Sequence, residues 1–407
     1  MRDRWRETTL REVATRTIGR TPPRNDPSMW ATSTERPFVT IADLGPNRTV
    51  TAREGVSELA EASGHAKRFP AGSLLLSFKL SIGRVGVADR DVFTNEAIAR
   101  LAPVDGVLRD FLAIALENVN WEELGGRAVK GKTMNKSSLD AVPITLPPLD
   151  EQRRIVDLIA AVDDAVDAAE AEADTAKTAR DEMLTAMLAA RDGWRETTLG
   201  ELADVLRGAV WRKSDEVGAP DDQHEAVVGI GVTTAGGVIN RAAMKYVSGL
   251  GDKAKRLAVG DTLMVMSNGN HSRIGNAYAI PDDFVGMPFS AFQAAVRVRE
   301  RDVVTPTFLS ILLGSEELQQ AFTDSAAGST GLGNLKVTYL RAIPIALPPI
   351  DEQRRIVATV KSVDDALDAA RATAESLRTL RSNLLTVLLS GEHEIPASYD
   401  ALLGEVA

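Results

Sequence analysis

The chain has 407 residues, no cysteine, four histidines, 44% hydrophobic residues and a formal net charge of −10. That length and content suit two or three domains that each bury a core, while the missing thiols exclude a disulfide framework and a thiolate metal site. Four histidines leave little for a zinc centre, so no structural metal is expected. The opening MRDRWRETTL is charged and no run of about 18 uncharged apolar residues occurs, which points to a soluble, cytoplasmic protein without a membrane partner.

In chain order, WRETTL (5–10) opens a first globular stretch, 1–149. Within it, FPAGSLLLSFKLSIGRVGVA (69–88) reads as strand, polar loop, strand, and RDFLAIALEN (109–118) has helical spacing. The stretch closes on LDAVPITLPPLDEQRRIV (139–156), where the prolines stop a strand and Asp and Glu place negative charge at the start of a helix. A long helical segment, 150–192, follows. WRETTL then returns at 194–199 and opens a second globular stretch, 193–350. Its LAVGDTLMVMSNGNHSRIGNAYAI (257–280) repeats the strand–loop–strand skeleton, PTFLSILLGSEELQQAF (306–322) has helical spacing, and LRAIPIALPPIDEQRRIV (340–357) leads into a second long helix, 351–391. An acidic C-terminal tail, 392–407, ends the chain.

The two proline segments match at 14 of 18 positions, and the match continues without a gap at an offset of 201 through VDDAVDAA and VDDALDAA. The order is therefore globule, helix, globule, helix. Each globule mixes strands and helices, so the fold class is α/β or α+β with an internal pseudo-two-fold repeat. The first helix carries the seam Ile155, Ile159, Val162, Val166, Ala169, Ala173, Ala176, Arg180, Met183, Met187, Ala190; the second carries Ile356, Val360, Val363, Leu367, Ala370, Ala374, Leu377, Arg381, Leu384, Leu388, Gly391. This 4-3 alternation is a coiled-coil seam. Rods of roughly 60 Å, at 1.5 Å per residue, are expected to pair with each other as an antiparallel coiled coil rather than lie separately on their own globules. Arg180 and Arg381 interrupt the seam at the same step, either to fix register or to reach the rim.

The negative total argues at first against a nucleic-acid partner. Residues 150–192 hold 12 acids and 5 bases, and 392–407 hold 4 acids and no base, while 351–391 are balanced. Acidity is thus concentrated in the first helix and the tail, and basic patches on the two globules are permitted.

The sequence of variable domain, LPPL-DEQ-RI helix, second variable domain and LPPI-DEQ-RI helix resembles the specificity subunits of Type I restriction-modification systems over essentially the whole chain. The resemblance implies two target-recognition domains that read a split, asymmetric site in double-stranded DNA. It also implies that the helices act as spacer and docking surface for two methyltransferase subunits, with restriction/translocase subunits joining. Two divergent readers at fixed separation suit such a bipartite target. Candidate DNA contacts are Lys79, Ser81 and Arg84 in the first copy and Asn268, Asn270, His271, Ser272 and Arg273 in the second. Ahead of the proline strands lie Lys130, Lys132, Asn135 and Lys136, and Asn334 and Lys336. Arg and Lys pair with guanine and Asn with adenine, although phosphate contacts outnumber base contacts.

Two rival classes remain. GRAVKGKT (126–133) satisfies the P-loop pattern and would suggest a nucleotide-binding enzyme, but it follows a helical stretch and leads into a strand, and SAAGSTGLGNLK in the second copy lacks it. A coiled-coil adaptor without DNA is the other. LPPLD and LPPID are not the Asn/Asp-Pro-Pro-aromatic motif of an amino methyltransferase, and His271 has no evident catalytic partner in the sequence. The chain is expected to select a sequence without catalysing anything and to hold no cofactor. S-adenosylmethionine, ATP and magnesium would belong to partner subunits of an adenine-specific methyltransferase and ATP-dependent endonuclease.

Overall fold

A computed structural model describes residues 5–124, 134–234, 239–252, 254–326, 333–391, 395–396 and 398–399. They form two compact units, Met1–Ala171 with Arg371–Ala407, and Glu172–Ala370. The division falls inside both long helices, so each unit is one globule plus half of each helix.

In the first unit, β1 (Arg6–Thr9) pairs antiparallel with β6 (Pro143–Leu146), Arg6 opposite Leu146, and this closes the globule at its base. Between them lies an antiparallel four-stranded sheet in the order β2 (Ala14–Ile18), β5 (Ile98–Pro103), β3 (Leu74–Ser77), β4 (Val85–Val87). The unbroken apolar run of β3 follows from burial on both faces. Leu74 and Leu76 join the core under α1 (Arg109–Glu117), whereas Leu75 turns to a second cluster with Val39, Phe69 and Ile98. A five-stranded outer sheet contributes that second cluster; its Pro37–Val39 and Val92–Thr94 are parallel and its other pairs antiparallel. Short helix α2 (Lys136–Asp140) precedes β6.

The second unit repeats the plan. After the 40-residue helix α3 (Leu149–Leu188), β7 (Arg195–Thr198) pairs with β12 (Pro344–Leu347), and the sheet order is β8 (Ala203–Arg207), β11 (Gln293–Val298), β9 (Thr262–Val265), β10 (Ala277–Ala279). Predominantly antiparallel pairing makes the globules α+β. The helical stretch 306–322 is two helices, α4 (Pro306–Leu313) and α5 (Glu316–Ala326), separated at Gly314 and Ser315; α6 (Val337–Ala342) precedes β12.

The Ile-Gly step shared by the two copies has a steric cause. Gly83 and Gly275 lie at φ +90 and +88, and a Cβ would sit 2.3 Å from Trp121 and 2.5 Å from Phe322. Gly83→Ala is expected to destabilise its unit by about 2 kcal/mol or more in denaturant unfolding, through both backbone strain and overpacking. Gly64 has φ +71 but nothing within 4 Å of a built Cβ, so Gly64→Ala should cost roughly half as much. Equal losses at the two sites would assign the whole effect to the backbone.

The second long helix, α7 (Ile350–Leu389), runs antiparallel to α3 within each unit. In the first unit Ile155 and Ile159 share a core with Leu385 and Leu388, Asp163 meets Arg381, and Glu170 meets Arg378 at 2.6 Å. In the second, Met183, Leu184 and Met187 share a core with Ile356 and Val360, and Arg180 Nε donates to Asp364 at 2.9 Å. The seam matches the 4-3 reading except at Asp163, which is buried beside Val162, and at the C-terminal ends, where Leu184 and Leu385 are also buried and Ala190 is exposed. There each helix meets a globule as well as its partner, and the apolar face widens.

Each DEQ motif joins helix to globule. Gln152, fully buried, donates from Nε2 to the carbonyls of Gly106 (3.0 Å) and Pro147 (2.9 Å) and accepts from Leu108 N (2.8 Å). Gln353 repeats this with Val303 O (2.9 Å), Pro348 O (3.0 Å) and Thr305 N (2.9 Å). The preceding acids accept from the indoles of the WRETTL segments, Trp5 to Glu151 at 2.9 Å and Trp194 to Glu352 at 3.2 Å.

Candidate nucleic-acid interface

In the first unit the β3–β4 turn is organised by buried Ser77. Its hydroxyl donates to Ser81 O at 2.6 Å and accepts from Arg84 N at 2.9 Å, which fixes the turn at the end of the sheet with Ser81 and Arg84 exposed, Arg84 Nη1 donating to Ile41 O at 3.4 Å. Phe78 O accepts from Met134 N at 3.0 Å and so brings Asn135 and Lys136 beside the turn. Two stretches about 55 residues apart in sequence therefore meet. Lys79 Nζ lies 5.4 Å above the Phe78 ring. Asn135 caps α2, its Oδ1 accepting from Ser138 N at 2.8 Å, while Lys136 is exposed. Lys130, Lys132 and the whole Gly126–Thr133 stretch lie outside the described residues.

The second unit builds the corresponding place differently. Leu335 N donates to Met266 O at 2.7 Å, and Ser267 Oγ donates to Asn334 Oδ1 at 2.5 Å, joining the 267–273 turn to the segment before α6. Asn268 Oδ1 accepts from Asn270 N at 2.9 Å, and Asn270 Oδ1 accepts from Ser272 N at 3.1 Å, so both amide oxygens shape the turn. Asn270, Ser272, Asn334 and Lys336 are exposed. His271 packs over Gly333, where a Cβ would lie 2.9 Å from its ring. Arg273 is half-buried, and its Nη2 donates to the carbonyls of Ile230, at 3.0 Å, and Thr233. These bonds tie the turn to the 230–233 loop, as Arg84 Nη1 ties the first turn to Ile41 O at 3.4 Å.

Sequence reading missed further groups at the same end of the first sheet. Arg20 is held by Thr94 O at 2.8 Å through its own N–H and reaches Gly64 O at 2.7 Å through Nη1. With Thr21, Lys67 and Glu96 it lines a concavity of about 670 Å³. The Thr21 hydroxyl donates to Glu96 and holds its carboxyl below the usual range, with Lys79 and Arg24 adding to the effect. An ionised Glu96 beside Lys79 is an acceptor suited to cytosine N4. Lys67 and Glu96 lie 46 and 75 positions beyond Thr21, and no local pattern joins the three segments.

This arrangement defines a two-copy protein in which a shared framework carries two differently furnished polar loop faces. The chain belongs to the family described as Type I restriction modification DNA specificity domain, whose profile matches residues 2–176 and 191–377. Two curated relatives come from Methanocaldococcus jannaschii. The Type I restriction enzyme MjaIX specificity subunit is 24% identical over 40% of this chain and 39% of its own length, and the putative type I restriction enzyme MjaX specificity subunit is 22% identical over 67% and 64%. The chain thus spans less than two thirds of the length of either. Among solved structures, the Type I restriction-modification S subunit from M. genitalium is similar with TM-score 0.54 and 16% identity over 94% of this chain and 96% of that one. A chain from a structure of type I restriction-modification complex assembly and conformational transition is similar with TM-score 0.61 and 19% identity over 95% and 97%. These two likenesses concern the fold. No helix among the described residues is long and apolar enough to cross a membrane.

Proposed function

We propose that the chain is the specificity subunit of a Type I restriction-modification complex. The globules 1–149 and 193–350 would read the two halves of an asymmetric, bipartite site in double-stranded DNA. The helix pairs would set their spacing and, with the adjoining grooves, seat two methyltransferase subunits, which restriction/translocase subunits then join. One such groove, about 940 Å³, is lined by Leu188, Glu196, Glu201, Leu312, Glu316 and Ile345 in the second unit; the first has a smaller one at Val119, Ile144 and Leu389. Methylation and cleavage would then belong to the partners, which would hold S-adenosylmethionine, ATP and magnesium.

One observation carries this reading. The joints between helix and globule are the same in both copies, whereas the sheet-end turns differ in length and residues, Lys79, Ser81 and Arg84 in the shorter first one and Asn268, Asn270 and Ser272 in the longer second one, although Asn and Lys precede both proline strands. A shared scaffold with unlike faces suits one partner type and two base sequences.

Methylome sequencing of cells with and without the gene tests it: a single split motif should disappear with the gene. Arg84→Ala with Lys136→Ala should weaken binding at one half of that motif. The salt dependence of binding should fall as well, by about one counterion for each phosphate that is no longer neutralised. Asn334→Ala should relax only the other half. Methylation or cleavage by the purified chain alone, or equal weakening at both halves, would sink the proposal.

A further inference from the structure

Leu80 stands at the tip of the β3–β4 turn with 68% of its surface exposed, and its backbone lies in the left-handed region at φ 63. Both features are unfavourable for a leucine: the conformation clashes with its Cβ and the side chain faces water. The other non-glycine residues with positive φ among the described residues, Asn47 and Arg48, are compensated by bonds to Asp167, Asp163 and Glu117. Leu80 has no comparable return within the fold. Around it stand Lys79, Ser81 and Arg84, with Asn135 and Lys136 brought up by the Met134–Phe78 bond. An apolar tip flanked by Lys79 and Arg84, with Lys136 on the adjoining segment, is complementary to a ligand that is anionic outside and apolar inside. A DNA duplex is such a ligand, with phosphates for the cations and a base stack for the leucine.

The second unit places an apolar group at the same junction by another route. Phe292, 48% exposed, has its carbonyl bonded by Met266 N at 2.8 Å and Ser267 N at 3.1 Å, where Ala97 O receives Phe78 N at 3.0 Å in the first unit. Position 292 corresponds to Ala97 and position 268, an asparagine, to Leu80 in the strand register. One large exposed apolar side chain therefore marks this corner of each globule, supplied by different segments.

We infer that Leu80 is a wedge that enters the base stack at one step of the DNA read by the first globule and opens it, and that Phe292 is its counterpart in the second. The inference rests on the DNA-reading function proposed above. Readout by such a wedge is indirect: a pyrimidine–purine step unstacks more readily than others, so the wedge selects a step it does not hydrogen-bond.

The test uses the full-length chain in complex with its methyltransferase subunits and a duplex carrying the mapped motif. Binding is measured together with permanganate reactivity of thymines, which reports unstacking. Leu80→Ala and Leu80→Gly should each weaken binding roughly tenfold or more and abolish reactivity in the first half-site. Leu80→Met should keep both. Leu80→Gly relieves the backbone strain, so its unfolding temperature should be unchanged or higher, which separates a DNA role from a structural one. Phe292→Ala should remove reactivity in the other half-site only. Wild-type binding to the motif without a reactive step, or variants that bind and react as wild type, would overturn the wedge and leave the reader assignment standing. No sequence-specific retention of DNA by the wild-type complex would overturn both.

Discussion

Gln152→Ala should lower the stability of the first unit by about 3 kcal/mol, read from urea unfolding of the full chain. The side chain is fully buried and satisfies two carbonyls and one N–H, those of Gly106, Pro147 and Leu108. Truncation leaves all three in a dry site, where each unsatisfied group costs about 1–3 kcal/mol, less whatever water recovers by entering the space. Gln152→Glu should be no better, because a second oxygen then faces two carbonyl oxygens. Gln353→Ala should act on the second unit to the same degree, through Val303, Thr305 and Pro348. A drop below about 1 kcal/mol in both variants would show that water replaces the amide and that the motif is not the joint.

Asp163→Ala and Asp364→Ala, equivalent positions in the repeat, should differ several-fold in cost. Asp163 has a side chain 9% exposed and meets Arg381 and, at 2.5 Å, Arg48; both arginines also bond Glu117, at 2.9 and 3.0 Å. Burial of Arg381 works against its charge, but the bonds to Asp163 and Glu117 outweigh it and leave the group more firmly protonated than usual. Removing Asp163 leaves two partly buried cations with one shared acid, at a cost of about 3 kcal/mol. Asp364 is 43% exposed and pairs with Arg180, so its removal should cost about 0–1 kcal/mol. Asp163→Asn, which keeps the shape and removes the charge, should fall between. Thermal unfolding of the three variants decides it. Equal costs at the two positions would mean that the extra partners Arg48 and Glu117 contribute nothing.

The large-scale plan is legible in the sequence because it rests on periodicity and self-similarity. Two proline segments 201 residues apart locate the start of each helix, and the 4-3 seam identifies the face that pairs. Arg180 and Arg381 are visible as breaks in that seam, but their carboxylate partners are not, since Asp163 and Asp364 read as ordinary solvated charges beside it. Gln152 is invisible for a related reason: its partners are backbone atoms, which leave no trace in residue type. The bonds from Arg273 to the carbonyls of Ile230 and Thr233 are equally hidden, because an arginine in a polar loop looks the same whether or not it also bonds main-chain oxygens. Leu80 falls between Lys79 and Ser81 in what reads as a polar loop, and only its φ and exposure single it out.

A joint that grips main-chain atoms places few demands on the side chains it holds. At the first joint the gripped residues are Gly106 and Leu108, at the second Val303 and Thr305, and the glutamine geometry is alike at both. To engage the glutamine, a globule grafted from another source would need to present a carbonyl and an N–H two residues apart at the same bend, alongside an indole for the acid and an apolar seat for the helix. At this hinge, though not where Ile155 and Ile159 enter the core, helix and globule can then accumulate substitutions without disturbing one another.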